Sequence, residues 1–150
     1  MNRLERFVLA LTRNRTEAED VISESILIIF QSFENINSKD ALLSYAFTIA
    51  SRVWMKRKKE LVKQNKYLTE YVTELFDDKI TQETADDVEF LYNAMEQITP
   101  EQKETLILTQ IMGFSIKETA EIQQCGISAV KMRIQRGKES LKKIINKVLV

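Results

Sequence analysis

The stretch from Gly113 to Lys138 constrains the fold more than any other. Ser115 and Glu118 stand three apart, the spacing at which the two side chains satisfy free backbone amides at a helix start. The short helix that begins at Ile116 is interrupted by Gln124-Cys125-Gly126. A longer helix then places Ile127, Val130 and Ile134 at the spacing of one buried face. Its other face carries Ser128, Lys131, Met132, Gln135 and Arg136. Helix, tight turn and a second helix with a basic, polar outer face form the pattern of a DNA-reading helix-turn-helix. A helical hairpin with a solvated charged face is the plain alternative, and both stay open on this stretch alone.

The rest of the chain carries helical patterns and no sustained two-residue alternation, so the fold class is all-α. Leu4, Phe7, Val8 and Leu11 share one helical face that ends around Thr12–Asn14. Thr16 and Glu19 have capping-box spacing, and the helix they start runs through Ala18, Val21, Ile22, Ser25, Ile29 and Phe33. The run Ile26-Leu27-Ile28-Ile29-Phe30 predicts that this helix is buried on more than one side. Glu34–Asp40 reads as a loop, rich in residues that bond their own backbone. A helix follows with Leu42, Tyr45, Ala46, Ile49, Ala50 and Val53 inward, and its end gathers Arg52, Lys56, Arg57, Lys58 and Lys59 around Trp54. Five cations and an aromatic on little more than two turns favour a nucleic-acid surface over a merely solvated helix end. Leu61, Leu68, Tyr71, Val72 and Leu75 continue a weaker pattern, and a polar, acidic stretch to Asp87 is the candidate linker. Val88, Leu91, Met95 and Ile98 resume a helix. Thr99, Pro100 and Gln102 then give an N-cap, a first-turn proline and a closing capping box. The helix through Leu106, Leu108 and Ile111 stops at Gly113, which can take the left-handed conformation.

The formal net charge is zero, yet the charges are segregated. Residues 1–66 hold twelve Lys and Arg against eight Asp and Glu, residues 67–99 only Lys79 against nine acids, and residues 100–150 nine bases against five acids. Two basic ends around an acidic middle suit a polyanion touched at both ends. With no histidine and the single Cys125, no zinc site can be built, and three glycines cannot form a phosphate-cradling loop. Glu19, Asp20 and Glu24 are explained by their place in the first turns of a helix. The reading is of a protein that is not an enzyme and uses no metal, cofactor or small-molecule substrate. The lone cysteine, the lack of a secretory leader and the lack of an apolar run near the ~20 residues that span a bilayer together fit the cytoplasm.

Three segments, in order and spacing, resemble the extracytoplasmic-function sigma factors of the sigma-70 family. Thr16-Glu17-Ala18-Glu19-Asp20-Val21-Ile22-Ser23-Glu24-Ser25 resembles their Asp-Ala-Glu-Asp-Leu-Val-Gln-Glu-Thr stretch in region 2. Tyr45-Ala46-Phe47-Thr48-Ile49-Ala50-Ser51-Arg52 is similar to Trp-Leu-Tyr-Arg-Ile-Ala-Arg-Asn. Ile98-Thr99-Pro100-Glu101-Gln102-Lys103-Glu104 through Gly113-Phe114-Ser115 follows the start of region 4 without gaps. The resemblance implies a transcription initiation factor of two small helical domains, near 1–60 and 88–150, joined by an acidic linker at 61–87. Its implied partners are core RNA polymerase, promoter DNA and an anti-sigma factor. Asp20, Ser23, Glu24 and Leu27 would face the polymerase clamp. The Glu34–Asp40 loop and the next helix would lie at the minus-10 element, with Arg52, Lys56, Arg57, Lys58 and Lys59 on DNA and with Tyr45 and Phe47 either packing or holding the opened strand. Ser128, Lys131, Met132, Gln135 and Arg136 would meet the minus-35 element.

Some positions depart from the pattern. Ser23 replaces a glutamine, and Arg52 stands where asparagine is usual. Gln124 replaces the turn glycine, Gly126 a serine N-cap, and Thr119 and Gln123 put polarity where the family is apolar. Two other classes account for parts of the chain: a sigma-like interaction protein that does not read promoters, and a stand-alone helix-turn-helix regulator.

Overall fold

A computed structural model of the chain describes residues 2–32, 39–64 and 87–149. Among them every regular element is helical. In chain order these are α1 (Arg3–Thr12), α2 (Arg15–Gln31), α3 (Lys39–Gln64), α4 (Asp87–Met95), α5 (Pro100–Leu106, continued by a π turn at Ile107–Ile111), α6 (Ile116–Gln123) and α7 (Ile127–Leu149).

Local chemistry sets most boundaries. The Asn2 side chain accepts from the Glu5 amide at 2.8 Å and starts α1, which Arg13 ends in the left-handed region at φ 52°. At the start of α2 the expected cap is displaced. Asn14, not Thr16, is the N-cap and accepts from the Glu17 amide at 3.0 Å, so Thr16 lies exposed inside the helix and the Thr16–Glu19 box is not formed. Asparagine caps at least as well as threonine, and it comes first. The boxes at Thr99/Gln102 and Ser115/Glu118 are both present. Gly113, at φ +79°, makes the left-handed turn before α6.

Residues 33–38, most of the expected loop, and 65–86, most of the expected linker, lie outside the described residues, as do Leu68, Tyr71, Val72 and Leu75. Lys39 and Asp40, read as loop, open α3, and α3 continues to Gln64. The π turn had no counterpart in the sequence pattern. It lets the Met112 amide reach the Ile107 carbonyl at 2.8 Å and leaves Ile111 half-exposed.

One apolar core serves both halves of the chain. Phe7, Val8, Leu11, Ala18, Val21, Phe47, Ala50, Val53 and Trp54 pack in a single cluster with Met95, Ile98, Leu106, Ile107, Leu108, Phe114 and Ile122. Phe47 lies at its centre, with ring centroids 4.9 Å from Phe7 and 5.1 Å from Phe114. Two guanidinium–ring contacts also cross between the halves: Arg3 on Phe114 at 4.3 Å and Arg13 on Tyr92 at 4.4 Å.

Two buried charges lie in the same region. The Lys103 ammonium donates to the Leu11 carbonyl at 2.8 Å and pairs with Glu96. Burial pulls its pKa below the usual lysine value, against the opposing effect of Glu96. Glu104 accepts from the Ser51 hydroxyl and from Gln123 Nε2 at 3.1 Å, and burial nonetheless pushes its carboxyl above the usual range.

Two expected burial patterns are corrected. Within Ile26–Phe30, Ile26, Leu27 and Phe30 are 56, 59 and 77% exposed, so α2 is buried along one side through Ala18, Val21 and Ser25. On α7, Ile127 is 48% exposed, and the inner side is carried by Val130, Ile134, Gly137, Leu141 and Ile144. Ile127 opens the helix before its inner face has reached the core. Gly137 marks the close approach, since a Cβ there would lie 3.1 Å from Leu106 Cδ1.

Candidate nucleic-acid interface

α6, the turn and α7 form the expected helix-turn-helix. Gln124 makes the turn in the left-handed region, at φ 53° and ψ 50°, and its amide bonds the Glu121 carbonyl. The Gly126 carbonyl accepts from the Val130 amide at 3.2 Å, so Gly126 caps α7. Inside the turn, Arg133 Nη1 donates to Gln123 Oε1 at 3.0 Å and lies 3.4 Å from Cys125 Sγ. Gln123 also bonds Thr105 and Glu104. These bonds bolt α7 onto α5 and α6, and they account for a polar residue at position 123. Thr119 is fully buried and its hydroxyl has no partner among the described residues.

With that side of α7 fixed, Ser128, Lys131, Met132, Gln135 and Arg136 are all exposed. Gln135 makes one weak bond, to Glu139 at 3.4 Å. Two cations, an amide with both donor and acceptor, a hydroxyl and a flexible thioether therefore share one outer face. This is the chemistry that contacts phosphates and base edges.

The basic end of α3 is less uniform. Lys56 and Lys59 are exposed and make no ion pair among the described residues. Arg57 is half-buried and pairs with Glu17 at 3.1 Å, Asp20 at 3.3 Å and Glu24 at 3.8 Å on α2. Lys58 is half-buried and lies near enough to Lys103 to oppose its charge. Arg52 is exposed, and its guanidinium donates to the Gln124 side chain. Phe47 is fully buried, so it packs and cannot hold a strand, and Trp54 is almost as deep. Tyr45 is half-buried. Of the residues expected on the outer side of α2, Asp20, Ser23, Glu24 and Leu27 are all exposed. Ile26 and Phe30, expected inside from the apolar run, join Leu27 in an exposed apolar patch.

No group of acids or cysteines among the described residues could hold a metal ion, and no described helix is long and apolar enough to cross a membrane.

The fold and these faces define a class: an all-α protein of two helical units, the second a helix-turn-helix with a basic outer face. The Sigma-70 region 2 family matches residues 1–63, and Sigma-70, region 4 matches residues 91–141. The chain is 26% identical to the ECF RNA polymerase sigma factor SigX of Bacillus subtilis, over 93% of this chain and 76% of that one. It is 22% identical to the RNA polymerase sigma factor CarQ of Myxococcus xanthus, over 97% and 84%. Its fold is similar to that of the sigma factor RpoE from Bartonella quintana, solved in complex with the anti-sigma factor NepR, with a TM-score of 0.71 and 19% identity over 95% of this chain and 89% of that one. The chain belongs to the sigma-70 family as an extracytoplasmic-function sigma factor, a transcription initiation factor that directs RNA polymerase to promoters.

Proposed function

We propose that this sigma factor divides its work among three surfaces. The outer side of α2, with Asp20, Ser23, Glu24 and Leu27, docks on core RNA polymerase, and the exposed Ile26 and Phe30 extend that surface with apolar area. The basic end of α3, with Arg52, Lys56, Arg57, Lys58 and Lys59 and the half-buried Tyr45, faces the minus-10 element. The outer face of α7 meets the minus-35 element through Ser128, Lys131, Met132, Gln135 and Arg136. Domains near 1–60 and 88–150 carry these surfaces, and residues 61–87 join them.

The observation that carries the reading is the outer face of α7, where five side chains of DNA-contacting chemistry are exposed while Val130 is fully buried behind them. Lys131 and Arg136 would hold phosphate, and Gln135 can pair two edges of adenine. The protein performs no chemistry of its own and works in the cytoplasm. An anti-sigma factor is a further partner, as it is for the similar RpoE.

Purified chain added to core polymerase should start transcripts at specific promoters on genomic DNA. Weakening by salt should be steep, because most of the affinity comes from displaced counterions. Core polymerase that starts no promoter-specific transcripts with this chain present would sink the reading.

A further inference from the structure

Ile127, the first residue of α7, has the spacing of a buried position, yet it is 48% exposed and stands outside the core cluster. It falls at the edge of the outer face. Ile127, Lys131 and Gln135 stand four apart and form one row, about 80° of helix surface from first to last, and the latter two are exposed. Ile127 heads that row, at the end of a reading helix whose residues reach base edges. The residue before it leaves room for a close approach. Gly126 is not left-handed, and a Cβ there would meet nothing within 4 Å, so neither strain nor packing among the described residues calls for glycine. What glycine supplies is a bare backbone beside Ile127. Within the major groove, the apolar mark on a base edge is the C5 methyl of thymine. Met132, also apolar and 45% exposed, lies about 140° round the helix from Ile127. Its unbranched side chain is adaptable, whereas the branched Ile127 is held at its first torsion and offers a fixed apolar surface.

We propose that Ile127 is a specificity-determining residue that reads the C5 methyl of one thymine in the minus-35 element. The inference rests on the assignment of α7 to that element made above. Eight residues, roughly 12 Å along the helix, separate Ile127 from Gln135, so this thymine belongs to a different base pair from the adenine at Gln135. Burial of a single methyl against the side chain sets the size of the effect, roughly three- to fourfold in promoter affinity.

The test uses holoenzyme formed with the full chain, on a promoter selected by the parent holoenzyme, with each upstream thymine of either strand replaced by uracil in turn. Uracil pairs as thymine does and lacks only the C5 methyl. With the parent chain, one replacement should weaken promoter binding by roughly three- to fourfold. Ile127→Ala should bind the thymine promoter more weakly by at least that factor and should no longer distinguish uracil at that position. Ile127→Val, which keeps a branched apolar side chain, should retain most of the discrimination, and Met132→Ala should leave it intact. Thermal unfolding shows that each variant is folded. A parent holoenzyme indifferent to every upstream uracil overturns the proposal, and so does a uracil effect that survives Ile127→Ala. Base-pair swaps in the same element separate this failure from a wider one. If the parent responds to swaps but not to uracil, the role of Ile127 alone falls; if no upstream swap matters, the assignment of α7 falls with it.

Discussion

On α7 all five side chains expected at DNA are exposed, and the single polar contact among those described is the weak one from Gln135 to Glu139. Of the α3 residues expected at DNA, Phe47 is in the core, Arg57 is paired with three acids, and Arg52 is held by Gln124, while Lys56 and Lys59 are exposed without a partner among the described residues. The difference follows from what packs on each helix. The outer side of α7 faces none of the other described residues, so its own periodicity settles which residues point outward. α3 is covered from several directions by α1, α2 and α6, and what covers each position comes from distant sequence.

The largest effect expected from this contrast is at Phe47. Phe47→Ala should cost about 3–5 kcal/mol, the range for a buried aromatic, and lower the unfolding midpoint seen by circular dichroism by roughly ten degrees. Tyr45→Ala, two residues earlier and half-buried, should cost well under half as much. Equal costs would mean that Phe47 is not the centre of the shared core.

Glu104 offers a second handle on that core. Its folded-state pKa is raised by burial, so between the ordinary carboxylate value and the raised one the native chain binds a proton that the unfolded chain has released. Stability from this group is therefore present at acid pH and is lost as pH climbs through that window. Glu104→Gln keeps a partner for Ser51 and Gln123 and removes the charge. Its midpoint should exceed the parent's by a few degrees at pH 8, where ~2–4 °C corresponds to about 1 kcal/mol, and the gap should close at acid pH. A gap that stays constant with pH would show that Glu104 is not the titrating group.

The smallest effects separate the cations of α3. Arg57→Ala removes a partly exposed network and should cost no more than about 1 kcal/mol, while Lys56→Ala should leave stability unchanged. On promoter complexes the order reverses. Lys56→Ala should reduce the logarithmic salt slope by roughly 0.7–0.9, one phosphate contact, whereas Arg57→Ala should reduce it less because its charge is already engaged. Equal slope changes would mean that the acids of α2 release Arg57 when DNA is bound.

What was legible in the sequence follows the same division. Caps at Ser115 and Thr99 and the breaks at Gly113 and Gln124 depend on a few adjacent residues, and they stand where the pattern put them. The five outward residues of α7 were equally plain. Thr16 has a box partner in Glu19 and so looks like the cap, although Asn14, two residues earlier, is the residue that caps the helix. The apolar run Ile26–Phe30 suggested burial, yet burial depends on having a neighbour, and none of the described helices covers Ile26, Leu27 or Phe30. Arg52 and Gln124 each read as a local irregularity, since no local pattern pairs residues 72 positions apart. The role of Gly137 as a point of close packing needed the partner side chain of Leu106 to be seen.

The central claim, that the outer face of α7 reads promoter sequence, is tested most directly at Gln135. Promoter sites would be selected from random DNA by holoenzyme carrying the parent chain or Gln135→Ala. The variant should lose its preference at one upstream base, a discrimination of about 1–3 kcal/mol, and keep every downstream preference. Arg136→Ala, run beside it, should weaken all upstream sequences alike. Selected sites that are identical for the parent and Gln135→Ala would contradict the assignment of this face to base reading.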